Sequence, residues 1–132
     1  MLQGLYPCLP YPIKAERCIL AILFHDYGKL FEYNTQGDTL PEMYLLGHIY
    51  IGAHKLQNEL EKRGIDAGET KRIVHCILSH HGMREYGSPV LPCIQEASIV
   101  SYLDNISAKT DTIDGAGEME YVNALGTHVI KG

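Results

Sequence analysis

Apolar residues recur along this chain with the three-to-four-residue period of amphipathic helices. The pattern is clearest over residues 13–31, where a first helix is predicted to follow Pro12. The apolar stripe of this helix consists of Cys18, Ile19, Ile22 and Leu23. No stretch alternates between apolar and polar residues convincingly enough to predict a strand. The pattern therefore predicts an all-α fold.

Turn and cap residues position the second predicted helix. Residues 34–38 are polar and predict a turn. Pro41 suits an early helical position, and Thr39 is a possible cap before it. The helix is predicted to run to about Arg63, because Gly64 is a natural stop.

The third predicted helix begins after Asp66, which forms the spacing of a capping box with Glu69. It is predicted to end at the histidine pair that precedes Gly82. Residues 83–91 contain glycine, serine and proline, so they are expected to form an irregular loop.

The fourth helix is predicted to begin at Pro92. This helix carries Ala97, Val100, Leu103 and Asp104. Two glycines interrupt the tail after Asp111, and residues 118–125 are expected to form one more short helix. The chain would then contain about five helices.

Length and composition indicate an ordinary globular protein. The chain has 132 residues, of which 45 % are hydrophobic and 20 % charged, and a single domain over residues 1–132 is expected. It shows no run long enough to span a bilayer and no signal-peptide pattern, so a cytoplasmic location is expected, with no membrane partner. The scattered cysteines are expected to be buried free thiols: Cys8, Cys18, Cys76 and Cys93.

The net charge of −5 bears on possible partners. A domain that grips long nucleic acid by itself usually has a basic face. Here the basic residues form only short pairs, such as Lys62 with Arg63, which are typical of a solvated helix surface. Metal ligands could account for part of the acidic excess.

Histidines and aspartates fall on, or at the ends of, separate predicted helices, whose ends can converge in a helical bundle. Together they form the candidate metal ligands His25, Asp26, His48, His80, His81 and Asp104. Imidazole and carboxylate ligands together suit one or two divalent ions of Mn, Fe, Ni or Zn. The spacing alone leaves a second interpretation open, in which adjacent histidines are merely polar caps.

The run His25-Asp26-Tyr27-Gly28-Lys29 resembles the HD-x-G-K signature of the HD superfamily of metal-dependent phosphohydrolases. Further segments follow in the order found in the HD domain of YhaM-type 3′-to-5′ exoribonucleases. They are Gly47-His48-Ile49, Leu78-Ser79-His80-His81-Gly82, Glu85-Tyr86-Gly87-Ser88-Pro89, Glu96-Ala97 and Asp104-Asn105. The resemblance covers residues 13–110 and implies an HD-domain helical bundle.

The resemblance also implies roles for these residues. Asp26 matches a carboxylate that bridges two metals, with His25 and Asp104 on one ion and His48, His80 and His81 on the other. Asp26 and Lys29 would be catalytic, and Lys29 would contact a phosphate. Glu85 and Ser88 are candidate substrate contacts, although their loop could equally be a structural cover. The remaining histidines, His54, His75 and His128, are expected to be packed or solvated.

One departure affects the functional prediction. The family has a further metal-binding histidine on an upstream helix, and no histidine precedes His25 here. An OB-type nucleic-acid-binding domain is also unmatched. Water, Cys8, Cys18 or a partner chain could supply the ligand.

The expected activity is metal-dependent hydrolysis of a phosphoester, in a nucleotide or a short nucleic acid. The alternatives are a non-catalytic metal- and nucleotide-binding regulatory module, or an inactive truncated HD domain. If the upstream helix is missing, an apolar face would be uncovered, so a homodimer is possible.

Overall fold

Five α-helices make up most of residues 12–132, the part of the chain that the computed structural model describes. They are α1 (Ala15–Phe24), α2 (Pro41–Leu45), α3 (Gly47–Lys62), α4 (Ala67–Leu78) and α5 (Gln95–Gly115). Short 3₁₀ helices lie at Tyr27–Phe31 and Arg84–Tyr86. The all-α prediction is confirmed, with a two-stranded hairpin as its small exception. No helix among these residues has the length and apolar character needed to cross a membrane.

The hydrophobic core lies where α1, α3, α4 and α5 meet. Helix α1 packs on α4 and α5, and α4 also packs on α3. Ala21, Ile77 and Val100 are almost completely buried there. Full burial of a side chain such as Ile77 stabilises the fold by about 1.5–3 kcal/mol, so this core holds the helix ends in fixed relative positions.

The cysteines agree only in part with the prediction of buried thiols. Cys18 and Cys76 are free and completely buried, whereas Cys93 is free but exposed. Burial raises the pKa of Cys18 to about 11 and that of Cys76 to about 12, so both remain protonated thiols near pH 7. Cys8 lies outside the described residues.

A buried ion network joins the beginnings of α1, α4 and α5. Arg17 is only 7 % exposed, and its Nε and Nη2 donate to the two carboxylate oxygens of Glu69 at 2.9 and 2.7 Å. Arg17 Nη1 lies 3.0 Å from Glu96 Oε1, which also accepts from the backbone N–H of Lys14 at 3.0 Å. The network fixes three helix starts against one another.

The predicted first helix is in fact two elements. Helix α1 ends at Phe24, and Asp26 adopts φ −101° and ψ 5° before the 3₁₀ helix Tyr27–Phe31 begins. The predicted second helix is also divided, because Gly47 has a φ of +74°, which favours glycine and interrupts helical geometry. His48 therefore lies in the first turn of a new helix, α3. Thr39 is not the cap, since Leu40 holds that position.

Gly28 allows the backbone of the first 3₁₀ helix to lie directly against the backbone of α3. A Cβ at Gly28 would lie 1.9 Å from the carbonyl oxygen of His48, far closer than two nonbonded atoms can approach. On the α3 side, a Cβ at Gly52 would lie 3.2 Å from the Gly28 nitrogen. This contact brings Asp26, two residues before Gly28, close to His48.

The later elements contain one accurate prediction and two errors. Asp66 caps α4 by accepting a hydrogen bond from the backbone N–H of Glu69 at 3.0 Å, as predicted. Helix α5 begins at Gln95 rather than Pro92. The predicted helix over residues 118–125 is wrong.

A hairpin replaces that helix. Its strands are β1 (Tyr121–Val122) and β2 (Thr127–His128), in antiparallel register with Tyr121 opposite His128. The turn between them ends at Gly126, whose φ of +68° favours glycine.

Candidate metal centre

Three predicted ligands meet where α1 ends beside the middle of α5. His25 follows the last residue of α1, and its Nε2 lies 3.4 Å from Asp26 Oδ2 and 3.3 Å from Asp104 Oδ1. Ligand atoms that share one ion at about 2.0–2.2 Å lie about 3–4 Å apart. The spacing of His25, Asp26 and Asp104 is therefore suitable for one divalent ion.

Three more histidines lie on the other side of Asp26. Ring nitrogens of His48, His80 and His81 all lie within 4.8 Å of one another. Asp26 Oδ1 is 3.7 Å from His48 Nε2 and 3.9 Å from His80 Nε2. The structure thus places the carboxylate of Asp26 between two groups of potential ligands.

Three of the four histidines are oriented by backbone carbonyl oxygens that face their Nδ1 atoms. The Nδ1 atoms of His25, His80 and His81 lie 2.8, 2.6 and 2.6 Å from backbone carbonyl oxygens. A neutral ring that donates from Nδ1 to a carbonyl has its lone pair on Nε2. An acceptor on the outer nitrogen is typical of metal-binding histidine.

Unpartnered buried atoms test whether this cluster fits a metal ion. Among residues 12–132, Asp26 Oδ1, His48 Nε2 and His80 Nε2 are buried without a hydrogen-bond partner. Each such atom would cost about 1–3 kcal/mol if it stayed unsatisfied. One acceptor oxygen and two imidazole nitrogens facing a common point are the atoms that a divalent cation would satisfy, so the residues fit the predicted metal.

The protonation states of His48 and His80 are also compatible with metal binding. Burial lowers the pKa of His80 to about 4, and it lowers the pKa of His48. The hydrogen bond between His25 and Asp104 raises the pKa of His25 and lowers that of Asp104. Burial by itself would raise the pKa of Asp26, but the hydrogen bond from Lys29 and the nearby His25 hold it below the ordinary value. His48 and His80 are therefore neutral near pH 7, as a ligand must be.

The family model of the HD domain matches residues 3–109, which is most of the chain. The chain belongs to the HD-domain family. The resemblance inferred from the pentapeptide His25 to Lys29 is therefore confirmed. The prediction that one family ligand is missing remains a prediction, since residues 1–11 lie outside the described part of this HD domain.

Two curated relatives are similar to this HD domain over 119 residues. It is 37 % identical to the 3′-5′ exoribonuclease YhaM of Geobacillus sp. (strain WCH70) and 40 % identical to the 3′-5′ exoribonuclease YhaM of Bacillus subtilis (strain 168). Each match covers 89 % of this chain but only 36 % and 37 % of the respective relative. None of the solved structures matches this chain significantly.

A cleft of about 720 Å³ opens between α1 and α5 at the candidate metal centre of the HD domain. His25, Asp26, Lys29 and Asp104 line this cleft together with apolar side chains such as Leu103, and Ser107 and Asp111 add further polar groups. Lys29 is half exposed, and its Nζ donates to Asp26 Oδ2 at 2.7 Å. The cleft therefore leaves the carboxylates of Asp26 and Asp104 accessible to a small molecule from this side.

The loop after His81 holds the candidate substrate contacts. Its Tyr86 carbonyl oxygen is the acceptor for His81 Nδ1. Glu85 is exposed on the 3₁₀ helix Arg84–Tyr86. Ser88 is buried, and within residues 12–132 its Oγ has no hydrogen-bond partner. Substrate contacts by Glu85 and Ser88 remain predictions.

The other three histidines lie apart from the cluster. His54 is exposed and stacks on Tyr50, and His128 is exposed on β2. His75 is half-buried and accepts a hydrogen bond from the backbone N–H of Cys93 at 3.1 Å.

Glu32 was not among the predicted site residues, yet it is buried and its Oε1 lies 3.7 Å from His48 Nδ1. The only available signal was a glutamate six residues after Asp26, just beyond an apolar Leu-Phe pair. Such a residue reads equally well as solvated surface, so spacing alone could not have identified it.

Proposed function

We propose that this HD domain is a metal-dependent phosphohydrolase that cleaves a phosphoester of a nucleotide or a short nucleic acid. The observation that carries the proposal is the convergence of Asp26 Oδ1, His48 Nε2 and His80 Nε2 as buried atoms without partners in the described chain. A polar cluster built only for stability would satisfy these atoms internally.

The ligands divide into two groups that share Asp26. His25, Asp26 and Asp104 would hold one ion, and Asp26 with His48, His80 and His81 would hold a second. Mn, Fe, Ni and Zn all accept this mixture of imidazole and carboxylate. When bound, such ions polarise a phosphoryl group and lower the pKa of water, which supplies the nucleophile for hydrolysis.

The residues of the chain itself place the substrate. Lys29 lies beside Asp26 in the lining of the cleft, with its ammonium half exposed. There it can contact a phosphoryl oxygen and offset the negative charge that develops on it. The hydrogen bond that Lys29 Nζ donates to Asp26 Oδ2 also lowers the pKa of that carboxyl group, which keeps it ionised, and fixes its orientation.

The substrate class follows from the cleft and from the relatives. A volume of about 720 Å³ is in the range of small-molecule sites and suits a nucleotide-sized group. The two relatives are named 3′-5′ exoribonucleases, and the segment that they share with this chain contains the whole proposed centre. A nucleotide or the end of a short RNA is therefore the proposed substrate, and a homodimer stays a prediction.

The test compares two histidines of α3. Chelator-treated protein is supplied with Mn²⁺ and assayed on bis(p-nitrophenyl) phosphate, on 2′,3′-cyclic nucleotides and on a short single-stranded RNA. The wild-type chain should hydrolyse at least one substrate only when Mn²⁺ is present. His48→Ala should lose at least about 100-fold in rate, because it removes a ligand. His54→Ala should retain the wild-type rate, since His54 is exposed on the same helix.

Two results would contradict the proposal. If the wild-type chain binds Mn²⁺ but hydrolyses none of the substrates, the domain is a metal-binding module rather than an enzyme of this class. If His48→Ala and His54→Ala are equally active, the cluster around Asp26 is not the catalytic centre.

A further inference from the structure

His48 differs from the other three histidines of the centre in the group that faces its outer nitrogen. His25, His80 and His81 present Nδ1 to backbone carbonyl oxygens, which no substitution removes. His48 Nδ1 instead faces the side chain of Glu32, with 3.7 Å between Nδ1 and Oε1. One of the four rings therefore faces a replaceable side-chain carboxylate rather than a backbone carbonyl.

The backbone of Glu32 is held firmly on both sides. Its N–H donates to the carbonyl oxygen of Lys29 at 3.1 Å, and its own carbonyl oxygen accepts from the N–H of Leu40 at 2.7 Å. The residue follows directly on the 3₁₀ helix Tyr27–Phe31, which packs against α3. The backbone around Glu32 therefore holds its carboxylate in a fixed position beside His48.

The Glu32 side chain lies in a buried environment, since the residue is only 2 % exposed. A buried carboxylate is costly unless a positive charge or a donor compensates it. The imidazole of His48 faces this carboxylate, with 3.7 Å between Nδ1 and Oε1, and the Nε2 of that ring is buried without a partner among residues 12–132.

We propose that Glu32 is a positioning residue that keeps the proton of His48 on Nδ1 and directs the Nε2 lone pair toward Asp26. The inference rests on the metal binding proposed above. An imidazole that coordinates a cation through Nε2 has a more strongly polarised Nδ1–H, so its attraction to a carboxylate increases. Glu32 therefore strengthens binding at the ion site formed by His48, His80 and His81, and leaves the site of His25 and Asp104 nearly unchanged.

The first test measures Mn²⁺ binding to the chelator-treated full chain by isothermal titration calorimetry. Glu32→Gln keeps the size of the side chain and removes its charge. It should weaken one of two binding steps by about 10–100-fold and leave the other within about twofold. Glu16→Gln is the matched control, because Glu16 is exposed in the first turn of α1 and undergoes the same change of charge.

The second test needs no metal, and its decisive spectrum is that of the wild-type protein. In metal-free wild-type protein labelled with ¹⁵N-histidine, long-range ¹H–¹⁵N spectra distinguish a proton on Nδ1 from one on Nε2. His48 should be found with its proton on Nδ1, and Glu32→Gln should reduce that preference. Should Glu32→Gln fail to fold, the wild-type spectrum still decides the tautomer.

The outcomes separate this inference from the proposed function. A wild-type chain that binds no Mn²⁺ overturns both. If the wild-type chain binds Mn²⁺ and hydrolyses a phosphoester while Glu32→Gln binds as Glu16→Gln does, only the role of Glu32 is overturned. A wild-type His48 with its proton on Nε2 would overturn that role as well.

Discussion

Helix α1 connects two polar clusters that differ in whether their buried polar groups have partners within the fold. At its start, Arg17 is surrounded by Glu69 and Glu96, and its contacts with them are 2.7–3.0 Å long. At its end, eight residues or about 12 Å further along, His25 leads into a cluster in which three buried atoms have no partner in the described chain. The two clusters share the same helix and the same core.

The difference separates a structural cluster from a functional one. The Arg17 cluster is closed, because each charge meets its opposite within the fold and nothing further is needed. The Asp26 cluster is open, because its buried oxygen and nitrogens point at one another across distances of 3.7 and 3.9 Å. The buried polar atoms that the described chain leaves without partners are therefore what distinguishes the Asp26 cluster as the candidate site.

The largest expected effect comes from breaking the closed cluster. Arg17→Leu would leave the buried carboxylate of Glu96 without its charge partner, so the free energy of unfolding should fall by about 3–5 kcal/mol. Urea unfolding followed by circular dichroism measures it. Lys14→Leu is the control, because the Lys14 side chain is mainly exposed and its loss should cost less than about 1 kcal/mol. Equal losses in both variants would show that the Arg17 cluster is not a closed structural unit.

Removing the charge of Asp26 in the open cluster should strongly lower the reaction rate and hardly change the stability of the fold. Asp26→Asn should lower the Mn²⁺-dependent rate by about 1,000-fold, equivalent to about 4 kcal/mol of activation free energy. The stability of the metal-free protein should change by less than about 1 kcal/mol, since the ion pair of Asp26 with Lys29 is partly exposed. Kinetics and urea unfolding on the same samples check this. A strongly destabilised Asp26→Asn protein would mean that the two clusters do not differ in kind.

Gly28 tests whether the open cluster depends on one backbone contact. Gly28→Ala places a methyl group against the His48 carbonyl and must separate the two segments, at a cost of about 2–3 kcal/mol in stability. Mn²⁺ affinity should fall as well, because the Asp26 and His48 ligand atoms move apart. Gly115→Ala is a suitable control, since nothing lies within 4 Å of a Cβ there. Unchanged Mn²⁺ affinity in Gly28→Ala would contradict this dependence.

The smallest effect concerns the pH dependence of the closed cluster. The hydrogen bonds from Arg17 lower the pKa of Glu69 from 4.5 to about 2. Because the folded-state pKa is lowered, the stabilisation is present above about pH 4.5 and is lost as the pH falls toward 2. The stability difference between wild type and Glu69→Gln should therefore shrink by about 2 kcal/mol between pH 5 and pH 2. A difference that stays constant over this range would contradict the pKa assignment.

Elements with strong local signals were predictable from the sequence. Helix α4 has a cap at Asp66 and an apolar stripe, and it was predicted closely. The division of the first predicted helix at Asp26 was not, because it results from packing against α3 through Gly28 rather than from any local breaker before it. The hairpin Tyr121–Val122 with Thr127–His128 was missed because strands of two residues are too short to show a period.

For the site, the sequence indicated which residues meet but not how they are held. The six predicted ligands carry ionisable side chains that stand out in apolar surroundings, and the structure brings all of them into one region. The acceptors of their outer nitrogens are mostly backbone carbonyls, which have no sequence signature. Glu32 has a side chain to recognise, but it becomes significant only when the chain folds it against His48.

Two of the histidines do more than face the centre. His25 and His80 each donate from Nδ1 to the carbonyl oxygen three residues earlier, at Ile22 and Ile77, in the last turns of α1 and α4. Carbonyls in a last turn lack a partner from the continuing helix. The same imidazole ring therefore caps the end of its helix and orients its Nε2 atom toward the cluster. An aspartate or cysteine in place of either histidine could still offer an atom for coordinating a metal. It has no side-chain N–H to donate, so the carbonyl oxygen at the end of the helix would lose this hydrogen bond.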